Sequence, residues 1–216
     1  MLRYLLLDLD DTLYSESFGL ERAVLARINE YALRLTGLPR EDFMEERKRR
    51  MPDFGTTLEW LMADYGFADA EDYFAFVHPE GEEGPLRPDP ELASTLDAIK
   101  LPKAIFTNSP REHAERILAR LGVADRFEAI YDIRFNGLHG KPDREAIGRV
   151  CSACGVEPAE ALFVDDSPKY VRGFIDSGGL GVLRDESGRH GDSGLTSVRN
   201  LCELPALIAA LEKEAS

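Results

Sequence analysis

Cysteine, positive charge and long apolar runs are all scarce in this chain, and each shortage removes a class of function. The three cysteines are an odd number, and Cys151 and Cys154 have no second pair with which to build a zinc ribbon or a disulfide framework. Both fall in residues 142–154, whose amphipathic helical pattern can absorb the thiols as packing, so a reducing compartment is expected. Lys plus Arg total 26 against 40 Asp plus Glu, a formal net charge of −14. That balance repels a phosphate backbone and anionic lipid alike, which counts against nucleic acid and membranes as partners. A small phosphorylated substrate would then need a locally positive site, from a metal or a few placed cations. No segment approaches the roughly 18 apolar residues of a membrane span, and Asp8 interrupts the apolar start at Leu5 to Leu7. Neither a spanning helix nor a signal peptide is expected, and the expected location is cytoplasmic.

What remains is an ordinary globular composition, 44% hydrophobic and 31% charged over 216 residues, enough for one domain or one core carrying an insertion. Tyr4 to Leu9 reads as a strand buried on both faces. Four helical patterns come next without an intervening strand, from Phe18 to Gly37 and around 40–50, 56–65 and 69–77. Residues 79–90, rich in Pro, Gly and carboxylates, read as a linker. Beyond it helices and strands alternate: helix 91–99, strand 103–107, helix 111–121, strand 128–131, helix 143–154, strand 161–164, helix 168–177, strand 180–183 and helix 203–213. This alternation predicts an α/β class, a Rossmann-like parallel sheet with helices on both faces, plus an inserted all-helical cap. The expected core is 1–14 with 89–216, and the expected cap with its linker is 15–88.

Ligands of such sheets sit at the carboxyl ends of the strands, so the residues just after each apolar run carry the chemistry. The first strand ends in Asp8-Leu9-Asp10-Asp11-Thr12. Alternation puts Asp8 and Asp10 on one side, where two carboxylates repel unless a cation or a proton separates them; helix capping by Asp11 or Thr12 would explain the rest. The second ends in Thr107-Asn108-Ser109-Pro110, where Ser109 suits a helix N-cap and the free N–H groups suit phosphate. The third site is Gly140-Lys141-Pro142, and the fourth is Val164-Asp165-Asp166-Ser167. Carboxylates at 8, 10, 165 and 166 without His or Cys beside them select Mg²⁺ over zinc, and Mg²⁺ with phosphate implies phosphoryl transfer.

In order, DLDDT at 8–12, TNS at 107–109, GKP at 140–142 and VDDS at 164–167 resemble the four signature loops of the haloacid-dehalogenase superfamily. FGTT at 54–57, the VH at 77–78, RPDP at 87–90 and the segment from Ile105 to Ile130 are similar to its pyrimidine 5'-nucleotidase branch. The resemblance implies that Asp8 is the nucleophile forming an aspartyl-phosphate, and Asp10 the acid and then the base. It further implies that Asp8, the Asp10 main chain, Asp165 and Asp166 serve Mg²⁺, and that Thr107, Asn108 and Lys141 bind substrate, with Thr107 and Lys141 also catalytic. The chain departs from the superfamily at Tyr170, where asparagine is usual, which puts one supporting hydrogen bond in question.

The implied reaction is Mg²⁺-dependent hydrolysis of a phosphomonoester, and the implied partner is a small phosphorylated metabolite, in particular a pyrimidine nucleoside 5'-monophosphate. Arg50, Phe54, Thr56 and Thr57 are the expected cap contacts, with a base stacked on Phe54. His113 is expected to be structural. A phosphosugar phosphatase or mutase stays open as an alternative, a non-catalytic phosphate-binding protein is a further one, and a dehalogenase would have no use for Asp165. Oligomeric state is not legible in the sequence.

Overall fold

The computed structural model describes residues 1–214. Its sheet has six parallel strands in the order β3-β2-β1-β4-β5-β6, with β1 Tyr4–Leu7, β2 Lys103–Phe106, β3 Ala129–Tyr131, β4 Ala161–Asp165, β5 Leu180–Arg184 and β6 Ser197–Val198. The chain moves outward from β1 through β2 to β3, then crosses back to β4 on the other flank. The crevice at the carboxyl ends of β1, β2 and β4 is therefore the switch point of the sheet, where such folds bind ligands.

Four helices come after β1: α1 Leu20–Thr36, α2 Arg40–Arg50, α3 Thr57–Tyr65 and α4 Ala70–Val77. The others are α5 Pro90–Ala98, α6 Arg111–Leu121, α7 Arg144–Ala153, α8 Pro168–Asp176 and α9 Leu204–Glu214. Because successive strand side chains point to opposite faces, the Leu run of β1 serves two cores. Leu5 and Leu7 pack with Leu92 and Leu96 of α5, Ile117 and Leu118 of α6 and Leu204 of α9. Tyr4 and Leu6 pack with Phe106, Phe163, Ile147 and Val150 of α7 and Phe174 of α8. Each fully buried side chain of this size stabilises by about 1.5–3 kcal/mol. That is why the strand ends are held firmly enough to aim carboxylates.

A third cluster belongs to the inserted helices: Val24, Phe43, Trp60, Leu61, Tyr73, Phe74 and Val77, joined by Ile133 from the loop after β3. The helix entries explain its shape. Thr56 accepts from the Glu59 main chain at 3.2 Å while Glu59 accepts from the Thr56 N–H at 2.7 Å, a reciprocal cap that starts α3. Gly37 in the left-handed region (φ 67°) ends α1.

The observed elements match the expected alternation, with small differences. The first strand stops at Leu7 rather than Leu9, and the chain turns at Asp11 with φ 50°. β6 is an addition to the expected set, since two residues are too short for any periodicity to register. Ser109 is not the N-cap of α6; that position is Pro110, and the Arg111 N–H is instead taken by the Asp132 side chain at 3.0 Å. Cys151, Cys154 and Cys202 are free thiols. No helix among the described residues is long and apolar enough to cross a membrane.

Candidate active site

Asp8 comes directly after β1, held there by its N–H on the Val164 carbonyl at 2.9 Å. Its Oδ1 receives the Lys141 ammonium at 2.6 Å, and Thr12 Oγ1 lies 3.3 Å from Oδ2. The same ammonium donates to Asp165 Oδ2 at 2.6 Å. Lys141 is 2% exposed and Asp165 fully buried, so this is a buried bridge between the ends of two strands. Ligand atoms of Asp8, Asp165 and Asp166 lie within 4.8 Å of one another. Burial, opposed by Lys141 and reinforced by Asp165 and Asp10, pushes Asp8 up to about 7. Burial, then Asp165 and Asp8, pushes Asp166 up to about 8. Three crowded carboxylates thus stand beside one ammonium that bonds two of them, and the set is short of positive charge.

Lys141 is delivered by Asn108. The Asn108 amide accepts from the Lys141 N–H at 2.7 Å and donates to the Lys141 carbonyl at 3.2 Å. Phe106, Phe163 and Tyr170 rings surround the ammonium at 5.6, 5.2 and 5.1 Å from their centroids, faces that favour a cation in a dry site. Thr107, buried at the end of β2, accepts from the Ser109 N–H at 3.0 Å, which leaves its own proton for a ligand.

Asp10 lies in a different environment. Its Oδ1 accepts from Tyr14 at 2.5 Å and His113 Nε2 at 2.7 Å, and its Oδ2 from Ser109 at 2.9 Å. The other His113 nitrogen lies 2.6 Å from Glu82 Oε1, which also meets His78 Nδ1 at 3.2 Å and Arg116 at 3.4 Å; Arg27 pairs with the second Glu82 oxygen. An imidazole with a carboxylate at each nitrogen carries both protons. Burial alone would lower the His113 pKa, but Asp10 and Glu82 raise it to about 10. Burial would raise Asp10, yet His113 and Tyr14 bring it far below the ordinary carboxylate value.

His113, expected to be structural, is fully buried and also bonds Asp10, which makes it part of the site. Glu82 is hidden in residues that read as a linker. The spacing of His78 and Glu82, four residues apart, is the available signal, but nothing in the sequence says that α6 brings His113 to both.

The cap contacts divide. Thr56 and Thr57 line a cavity of about 190 Å³ that reaches Asn108 and Ser109. Arg50 and Phe54 do not line it, a correction with a clear cause. Asp64 takes Arg50 with two bonds at 2.7 and 2.8 Å and Asp53 a third at 2.6 Å, while the guanidinium lies 5.0 Å over the Phe54 ring. Phe54 lines an outer groove with Met62 and Leu138 instead, and Arg47 takes the inward place. The loop before α3 lies against the core: Lys169 donates to the Phe54 carbonyl at 2.7 Å, Tyr170 to the Gly55 carbonyl at 3.2 Å, and the Gly140 N–H to Glu59 at 3.0 Å. A Cβ on Gly55 would stand 2.8 Å from the Lys141 carbonyl, so only glycine permits this approach. Tyr170, which departs from the family pattern, supplies one of these seam bonds.

A parallel sheet with carboxylates at two strand ends, a lysine between them and a helical insertion above defines a hydrolase site of known type. The chain belongs to the haloacid dehalogenase-like hydrolases, whose family model matches residues 2–178. It is 28% identical over 183 residues to validoxylamine A 7'-phosphate phosphatase of Streptomyces hygroscopicus subsp. limoneus, covering 79% of this chain and 80% of that protein. It is 32% identical over 89 residues to N-acetylmuramic acid 6-phosphate phosphatase of Pseudomonas aeruginosa, covering 41% of this chain and only 39% of that protein. In fold it is similar to a phosphatase of the family from Thermococcus onnurineus, with a TM-score of 0.64, 20% identity and coverage of 96% and 98%. An L-2-haloacid dehalogenase from Xanthobacter autotrophicus shares the fold at a TM-score of 0.59 and 19% identity, over 97% and 99% of the two chains.

Proposed function

We propose that the chain is a Mg²⁺-dependent phosphomonoester hydrolase that works through an aspartyl-phosphate on Asp8. The observation that carries this reading is the clustering of Asp8, Asp165 and Asp166, two of which, Asp8 and Asp165, are bridged by the single ammonium of Lys141. All the donors in the set are hard oxygens, and its excess negative charge fits a small divalent cation. Asp8, Asp165, Asp166 and the Asp10 main-chain carbonyl would hold Mg²⁺, which when bound supplies a Lewis acid that offsets the repulsion between phosphate and carboxylate.

The protein's own groups account for the remaining steps. Asp8 attacks phosphorus, the bond from phosphorus to the ester oxygen breaks, and the leaving alkoxide takes a proton from Asp10. Water then loses a proton to Asp10 and attacks phosphorus, releasing phosphate and restoring the Asp8 carboxylate. His113 and Tyr14 favour the ionised form of Asp10 that the second step uses; a bound phosphate dianion adds the negative charge that favours its acid form for the first. Thr107 and Lys141 hold the transferring oxygens, and Asn108 fixes Lys141 from behind. Residues 15–88 act as a cap over the core of 1–14 and 89–216, excluding water and contacting the leaving alcohol. The free thiols suit a cytoplasmic location.

The substrate in this reading is a small phosphorylated metabolite. The phosphatases of Streptomyces and Pseudomonas to which the chain is similar act on phosphorylated compounds of a sugar-like kind, which supports a phosphosugar. Thr56 and Thr57 in the cavity favour, as a second reading, the pyrimidine nucleoside 5'-monophosphate that the sequence resemblance suggests. A mutase would return an isomer in place of free phosphate. Phosphate release from a panel of sugar phosphates, UMP and CMP, with Mg²⁺ and with EDTA, tests the reading against Asp8→Asn as the blank. We expect metal-dependent release that the variant lacks; release equal to that of Asp8→Asn would reject it.

A further inference from the structure

The cavity of about 190 Å³ under the cap has apolar walls, among them Val24, Ile28, Leu58, Phe74 and Ile133, and it opens onto Asn108 and Ser109 beside Asp10. Arg47 is the one lysine or arginine in its lining. Two other arginines of α2 are paired, Arg50 with Asp53 and Asp64 and Arg49 with Glu46. Arg47 has no carboxylate within ion-pair distance among the described residues, although acidic residues outnumber basic ones by 40 to 26. Its Nε is buried with no hydrogen-bond partner, and its Nη2 only reaches Thr57 Oγ1 at 3.5 Å.

A guanidinium is always charged, and its donors form a rigid fork. Leaving Nε dry and unpaired costs the desolvation of that group, and the half-buried guanidinium has no counter-ion among the described residues to offset its own loss of water. A ligand that brings an acceptor pair would remove both penalties. A planar carboxylate matches Nε and the adjacent Nη with two parallel bonds, and its single charge balances the single cation. A second phosphate dianion would exceed what one guanidinium neutralises, with Glu21 also in the lining.

We propose that Arg47 recognises a carboxylate on the leaving alcohol, so that the preferred substrates are phosphomonoesters of hydroxy acids. This rests on the phosphatase reading and specifies its substrate class. Arg47 is then a specificity-determining residue, remote from the phosphorus but in reach of the far end of the ester.

The test uses matched esters that differ only in a terminal carboxylate against a terminal hydroxymethyl group. Glycerate 3-phosphate with glycerol 3-phosphate, and gluconate 6-phosphate with glucitol 6-phosphate, cover a short and a long reach. The readout is the ratio of kcat/KM within each pair, which cancels any general loss of folded enzyme. In at least one pair we expect the wild type to favour the acid by about tenfold or more, and Arg47→Met to bring that ratio near one, with Arg47→Lys between them. A wild-type ratio near one in both pairs, or a preference that survives in Arg47→Met, would overturn the inference. If none of these four esters is turned over, the panel of sugar phosphates, UMP and CMP decides on the phosphatase reading separately. Calorimetric binding of the same pairs to the wild type and Arg47→Met then decides on Arg47 alone by the same ratios.

Discussion

Two buried clusters of charge meet at the end of β1, and they are balanced differently. Around Asp8 three carboxylates cluster, and the Lys141 ammonium bridges two of them, Asp8 and Asp165. Around Asp10, by contrast, Asp10 and Glu82 are matched by a doubly bonded His113 and by Arg27 and Arg116. The first cluster is short of positive charge, and its ligand atoms could hold a cation. The second is complete, and it holds a carboxylate still. Neighbouring aspartates two residues apart in sequence thereby have different chemistry, set by the groups that each strand and helix end brings to them.

Removing a member of each cluster should have different consequences. Lys141→Met takes the bridging ammonium from the first, and we expect phosphate release to fall on the order of 10²–10³-fold. Its melting temperature should fall most in EDTA and recover in part with Mg²⁺, which a calorimetric scan in both buffers reads. His113→Gln unbalances the second cluster. We expect a loss of about 3 kcal/mol in unfolding free energy, unchanged by Mg²⁺, and a drop in kcat larger than any rise in KM.

The pH dependence sharpens the contrast. His113 is raised from an ordinary 6.5 to about 10, so its contribution to stability is complete below pH 6.5 and is lost as the pH climbs towards 10. In EDTA the wild type should therefore lose melting temperature over that interval more steeply than His113→Gln. A parallel decline of the two would mean that His113 is not held as a cation. The smallest effect should come from Tyr170→Phe, which removes one bond to the Gly55 carbonyl. We expect a loss of about 1 kcal/mol or less in thermal unfolding and a change of a few fold in turnover.

These contrasts also mark how far the sequence is legible. Apolar runs that stop at Asp8, Thr107 and Asp165 announce buried parallel strands, and the burial that makes the runs readable also fixes the loops at their ends. Those loops at the sheet edge can therefore be read in order. The cap cannot. In α2 the sequence Arg40 to Arg50 buries only Phe43, so there is no apolar stripe to say which arginine turns inward. Arg47 and Arg50 both fall near the Phe43 face, at four and seven residues. The choice between them is made by Asp64 on α3, a partner that only the packed structure reveals. Glu82 and His113 are out of reach for the same reason, since their meeting depends on a turn between α4 and α5 folding against α6.

The central claim is that Asp8 becomes covalently phosphorylated. The most direct measurement is acid quenching of wild-type protein during turnover of a hydrolysed phosphomonoester, then peptide mass analysis. We expect one phosphoryl group on the peptide that contains Asp8 and none in Asp8→Asn. An unmodified Asp8 peptide throughout a burst of phosphate release, or release at the wild-type rate from Asp8→Asn, would contradict it.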